Sequence, residues 1–187
     1  MADTNKIKYG IRNVTLFPAT IAADGSATYG TAIPVPGAVS LSLDQQGETN
    51  KFYADNTVYW SGYSDNGLSG EIENALFDDT FKTTFMNYVA LTGGGIAQIK
   101  GQQNKPVYIV FQSKGDQEAR RMIMYNVALG QITREYATTE DTVEPATATL
   151  PYTVNGDSGT GITRVSYAPD DADYDNLFTT PPVPALP

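Results

Sequence analysis

The chain contains no cysteine and no histidine. The first absence excludes disulfides, thiolate metal sites and cysteine nucleophiles. The second excludes imidazole ligands and any serine nucleophile that relies on a histidine base. Cations are also scarce, with 12 Lys and Arg against 21 Asp and Glu and a formal net charge of -9. Affinity for phosphate comes from Lys and Arg releasing counterions, so this balance argues against ordinary nucleic-acid binding. No stretch approaches the roughly 18 apolar residues that a membrane-crossing helix needs. The opening MADTNKIKYG lacks the basic region and apolar core of an export signal. The expectation is a soluble protein made without such a signal, and no cofactor is implied.

What remains is a β-forming composition. The 187 residues fit one domain, or one domain with long arms, and can bury a substantial core. Hydrophobic residues make up 41% and charged residues 18%, which places the chain among globular rather than disordered sequences. The twelve tyrosines suit sheets and contact surfaces better than helical bundles.

Periodicity then divides the chain. Residues 7–17 and 27–32 flank the turn-like Ala23-Asp24-Gly25-Ser26 and predict an opening hairpin. Pro34 and Pro36 place IPVPG at a sheet edge or crossover. Strands follow over residues 38–45, 52–60 and 68–76, with a turn at 47–50; Gly70 and Asn74 suggest a bulge in the last. Phe81, Phe85 and Tyr88 recur at helical spacing behind Asp78 and Asp79, predicting a core-packed helix over residues 80–91 that ends at Gly93-Gly94-Gly95. A second hairpin joins 107–111 to 122–129 through the polar turn at 114–118. Residues 131–136 and 146–154 read as further strands, and 164–167 as a last short one. From residue 169 the composition changes to PDDADYDNLFTTPPVPALP, which predicts an acidic, Pro-rich arm over 168–187 outside a domain spanning 1–167.

Three clusters invite a chemical reading. Glu71 and Glu73 share a strand face, as paired carboxylates of a glycosidase could, but strands commonly carry acids on their solvent face. Asp171, Asp173 and Asp175 have the alternate spacing of a calcium loop, yet Asn176 stands where the glycine belongs and Pro182 where the closing Glu belongs. Arg120 and Arg121 point to opposite faces of a strand, so a salt bridge across a subunit boundary suits them better than a basic patch.

Residues 33–76 carry the strongest functional signal. After Val39, Leu41 and Leu43 alternate with polar residues come Phe52, Tyr53, Tyr59, Trp60 and Tyr63, set among Asp55, Asn56, Asp65 and Asn66. A free-standing hairpin cannot bury five such rings, so they are candidate subunit-interface residues. The order PGAVSLSLD, then E-T-N-x-F-Y-A-D-N-x-x-Y, then G-x-x-G-E-I-E-N-A-L resembles the major tail proteins, or tail-tube subunits, of long-tailed phages with non-contractile tails. The opening KIKYGIRNVTLFP and the later RRMIMYNVALGQITREYATTEDTVEPATATLPYTV are also similar to family segments, so the resemblance spans about residues 6–167.

The resemblance implies an antiparallel β-sandwich or barrel-like tail-tube fold with one flanking helix, an extended hairpin and flexible arms. It implies a virion protein, made and assembled in the host cytoplasm, that stacks as hexameric rings around a channel for the genome. Its partners would be further copies of itself, a tape-measure protein in the lumen, and tail-completion and tail-tip proteins. DNA would pass without specific binding, and an acidic wall would let it slide. The alternative is a non-assembling β-sandwich that binds glycans through the rings around Trp60. A carboxylate hydrolase using Glu71 and Glu73 is a third reading.

Overall fold

The computed structural model describes residues 10–23, 27–115, 118–136, 138 and 145–186. In chain order these form β1 (Ile11–Ile21), β2 (Ala27–Tyr29), β3 (Ile33–Pro34), β4 (Ala38–Leu41), β5 (Asp44–Ala54) and β6 (Thr57–Asn74). There follow α1 (Asp79–Phe85), β7 (Val89–Ala90), β8 (Ile96–Ala97), β9 (Val107–Ser113), β10 (Arg121–Leu129), β11 (Thr133–Arg134), β12 (Ala148–Val154) and β13 (Arg164–Tyr167). The fold is mainly β and antiparallel, as the composition predicts. The start of the opening strand at residues 7–9 lies outside the described residues, as do Asp24, Gly25 and Ser26 of the first turn and Asp116 and Gln117 of the second.

The sheet closes on itself. β6, β12, β10, β9 and β1 pair in that order. The segment IPVPGAV then bridges the two ends, with Leu16 of β1 opposite Ile33 of β3 and Ile72 of β6 opposite Leu41 of β4. Val35 N donates to Val14 O at 2.8 Å and Ala75 N to Gly37 O at 2.9 Å, so the two prolines sit at a crossover between strands. Alternate residues fill the barrel: Val14 and Leu16 from β1, Leu68 and Ile72 from β6, Val107 and Ile109 from β9, and Leu150, Tyr152 and Val154 from β12. Gly70 is no bulge. A Cβ there would lie 2.1 Å from Ser42 O, so glycine admits the chain crossing between β4 and β5, and the register shift falls at residues 38–40 instead.

α1 closes the barrel at the C-terminal end of β6. Asp78 Oδ1 accepts from Phe81 N at 2.7 Å, and Phe77, Phe81 and Phe85 stack in sequence with ring centroids 4.8 and 5.0 Å apart. The aromatic stripe is core, as its spacing predicts, but the helix is shorter than residues 80–91. Asn87 turns left-handed at φ 53°, and Val89 and Ala90 leave to pair with β8. Gly93, Gly94 and Gly95 therefore form the tip of a small hairpin rather than a helix stop.

β9 is apolar on both faces because a second layer covers the outside of the wall. Phe17, Tyr108, Val110, Ile123 and Tyr125 face outward and meet β2, β13 and Leu177. The C-terminal segment is thus no free arm: Leu177 is fully buried and Tyr174 nearly so. Tyr174 Oη donates to Ala119 O at 2.6 Å and Tyr125 Oη to Pro182 O at 3.2 Å. Arg121 is turned inward to its own chain. Its guanidinium lies 3.8 Å from the Tyr174 ring centroid, donates to Tyr174 O and sits 3.9 Å from Asp175. Arg120 pairs with Glu118 at 2.6 Å. Both arginines therefore have partners within the chain, where a partner across a subunit boundary was expected.

Candidate assembly interface on the β5–β6 ribbon

The chain reverses at Asp55 and Asn56, both left-handed at φ 50° and 60°, the two-residue turn whose twist matches the strands it joins. The expected turn at 47–50 instead lies inside β5. Gly47 has another use: a Cβ there would meet the Tyr63 hydroxyl at 2.3 Å, so its absence makes room for that ring. β12 leaves β6 at Leu68, and residues 57–67 of β6 pair with β5 alone. At about 3.3 Å per residue the pair forms a two-stranded ribbon reaching roughly 30 Å past the barrel.

Register assigns the rings to faces. Phe52 stands opposite Trp60, and the shift between Phe52 and Tyr53 adds Tyr59 to the same side, where the Phe52 and Tyr59 rings meet edge to face at 6.5 Å. Trp60 lies along the ribbon over Gly62, where a Cβ would come within 2.4 Å of the indole. Tyr53 and Val58 stand opposite each other on the other face, as do Thr49 and Tyr63. All five candidate rings are exposed, from 57% for Trp60 to 77% for Tyr59, so Trp60 does not belong to its own domain's core. Val58, 48% exposed, joins them. It was missed from the sequence because only the pairing register places it beside Tyr53. Among the described residues, neither the outer edge of β5 nor that of β6 along 57–67 has a partner strand. The ribbon thus offers aromatic faces, open backbone edges, and an exposed rim of Asp55, Asn56, Asp65 and Asn66.

The other constellations have structural uses. Glu71 and Glu73 do share the outer face of β6. Glu73 accepts from Thr147 Oγ1 at 2.7 Å and Ser40 Oγ at 3.0 Å, and these bonds hold its carboxyl below the usual range. A general acid needs the opposite shift. Asp171 accepts from Ala168 N at 2.7 Å, and no group of three or more acids among the described residues could hold a metal ion. One groove runs between the β4–β5 crossing and β12, past Ser42, Gly70 and Pro151. Another lies beside α1, past Met86, Ile99 and Gln131. Neither is lined by any ribbon ring. Among the described residues no helix is long and apolar enough to cross a membrane.

The fold has counterparts among solved structures. A chain of the PVC sheath/tube terminator of an extracellular contractile injection system, in its extended state, is similar over 82% of this chain and 93% of that one, with a TM-score of 0.50 and 11% identity. A chain of the anti-feeding prophage tube-terminating cap matches over 89% and 97%, with a TM-score of 0.49 and 13% identity. At such identities the likeness concerns fold alone: the barrel is of the kind found in the injection-system terminator. No family model matches the chain, and no curated protein matches it in sequence.

Proposed function

We propose that this chain is a non-enzymatic structural subunit of a phage-type tail, self-assembling head to tail into rings that stack as a tube. The observation that carries the reading is the β5–β6 ribbon, which exposes five large rings and two strand edges that nothing among the described residues covers or pairs. A patch of this kind on an otherwise ordinary barrel marks a surface meant to be covered. A head-to-tail contact closes into a ring when its rotation allows, and an axial repeat of rings makes a tube. The motif resemblance narrows the reading to the tail tube of a phage with a non-contractile tail, with hexameric rings and a tape-measure protein and then the genome in the lumen. The fold likeness to an injection-system component is compatible with a tail role and does not choose between tail types.

The glycan-binding reading has less support, because the rings lie on the two faces of a projecting ribbon and not around a cleft that could enclose a sugar. Negative-stain electron microscopy of the purified chain across protein and salt concentrations tests the proposal. Rings or tubes on the order of 100 Å across are expected from several domains of this size around a pore. A strictly monomeric species at high concentration in every condition overturns it.

A further inference from the structure

The ribbon has a candidate receptor at the opposite pole of the same molecule. It leaves the barrel at the N-terminal end of β6, whereas α1 follows the C-terminal end. Around α1 the segment 86–106 is anchored to that end by Lys105 N on Phe85 O at 2.9 Å, Asn104 Nδ2 on Leu129 O at 2.9 Å, and Gln98 Nε2 on Gln131 Oε1 at 2.8 Å. At the start of α1 Asp78 and Asp79 are exposed, Asp78 as its N-cap and Asp79 paired with Lys82, but the segment that follows α1 differs from the rest of an acidic chain. Over residues 86–106 the charged residues are Lys100 and Lys105, both exposed, with no Asp or Glu among them. Val89, Leu91 and Ile99 are exposed there as well, and Ile99 and Lys100 line a groove of about 400 Å³. The ribbon has the complementary character: exposed Asp44, Glu48, Asp55 and Asp65 against Lys51 alone, and aromatic faces in need of apolar cover.

We infer that the ribbon of one copy seats on the α1 pole of a second copy. Its rings cover Val89, Leu91 and Ile99, and its acidic rim faces Lys100 and Lys105. The inference rests on the self-assembly reading and supplies the mating surface. Because the two surfaces lie on different parts of the molecule, the contact is heterologous and propagates along one direction. Opposite charge at the two ends also orients the encounter, against a background in which acidic copies otherwise repel one another.

The absence of cysteine makes the test direct, since an engineered pair is the sole source of disulfide. Tyr59→Cys protein is mixed with Ile99→Cys protein under assembly conditions and mild oxidation. A second mixture pairs Tyr59→Cys with Thr153→Cys on the barrel wall. A disulfide forms readily only where Cα atoms approach within about 7 Å. The ribbon–pole mixture is expected to give several-fold more linked dimer than the ribbon–wall mixture. The double variant Lys100→Glu, Lys105→Glu is expected to retain the wild-type melting temperature and to need several-fold more protein to assemble. If wild-type protein assembles but the ribbon cross-links no better to the pole than to the wall, or the charge reversal leaves assembly unchanged, the inference is overturned and self-assembly stands. If no variant and no wild-type sample assembles, both are overturned.

Discussion

Leu177→Ala tests whether the C-terminal segment is a layer of the fold or an arm. Leu177 has no exposed surface and sits among Phe17, Tyr108, Val110, Ile123 and Tyr125. Truncating a fully buried leucine removes its transfer free energy and leaves a cavity, together costing about 2–5 kcal/mol. At roughly 2–4 °C per kcal/mol for a chain of this size, a mid-range loss of about 3 kcal/mol lowers the melting temperature by about 6–12 °C. Asp173→Asn, an exposed change in the same segment, should stay within about 0.5 kcal/mol of wild type. The assay is thermal unfolding by circular dichroism at a concentration where the protein is monomeric. Removing residues 169–187 should cost more than Leu177→Ala, because Tyr174 and its stacking on Arg121 go too. An arm seated only on a neighbour would behave otherwise, impairing assembly while leaving monomer melting intact. If Leu177→Ala and the truncation both melt within a degree or so of wild type, the packing described for this segment is wrong.

Other outcomes follow from the same geometry. Trp60→Ala and Tyr53→Ala should leave monomer melting nearly unchanged, since both rings are exposed, while weakening association by about 2 kcal/mol or more if they anchor the interface; a sharp fall in melting temperature with normal assembly of the folded fraction would contradict this. Gly70→Ala forces a Cβ to within 2.1 Å of Ser42 O and 2.8 Å of the Tyr152 hydroxyl, so a loss of about 1–3 kcal/mol is expected by denaturant titration, and wild-type stability would refute the close crossing. Burial pushes the phenols of Tyr108, Tyr125 and Tyr152 above the ordinary tyrosine range, so the folded state binds these protons more tightly than the unfolded state. Their contribution is fully present below about pH 10 and is lost as pH rises beyond it. The melting temperature should therefore fall steeply above about pH 10, and tyrosinate absorbance reaching full amplitude there in still-folded protein would refute the burial.

What the sequence showed and what it hid can be traced to individual residues. The continuous apolar run at 107–111 marked a hairpin strand, although its burial on both faces became visible only with the second layer over it, and Asp78 before the Phe81 and Phe85 spacing marked a capped core helix. The ribbon rings were legible as rings in need of cover, although the ladder was required to decide that Trp60 lies outside its own core. The turn was misplaced because Gly47 looks like a reversal, whereas the left-handed pair was Asp55 and Asn56. The C-terminal segment misled through its average composition. Among its Asp and Pro residues, Tyr174, Leu177 and Phe178 recur at one-turn spacing and turn to the sheet. Arg121 looked free for a neighbour because its partner, Tyr174, is 53 positions away in the chain, a separation no local pattern reveals.

The ribbon's attachment also bears on how assembly can be specific in so acidic a chain. An isolated two-stranded hairpin is marginally stable in water, and ordering it on contact would subtract from the binding free energy. Here β6 is one strand of 18 residues, ribbon over 57–67 and barrel wall over 68–74, so Tyr59, Trp60 and Tyr63 project from a strand whose other end is fixed by β12 and β4. Gly47 and Gly62 let Tyr63 and Trp60 lie flat along the ribbon, which restricts the two rings before any partner arrives. Repulsion between copies of net charge -9 is screened beyond about 8 Å at physiological ionic strength. At contact distance the balance is set instead by charges directly across the interface. If the ribbon seats as inferred, its acidic rim meets Lys100 and Lys105 at contact distance, where these local charges rather than the net charge set the balance, so a net charge that opposes association in general does not prevent this one contact.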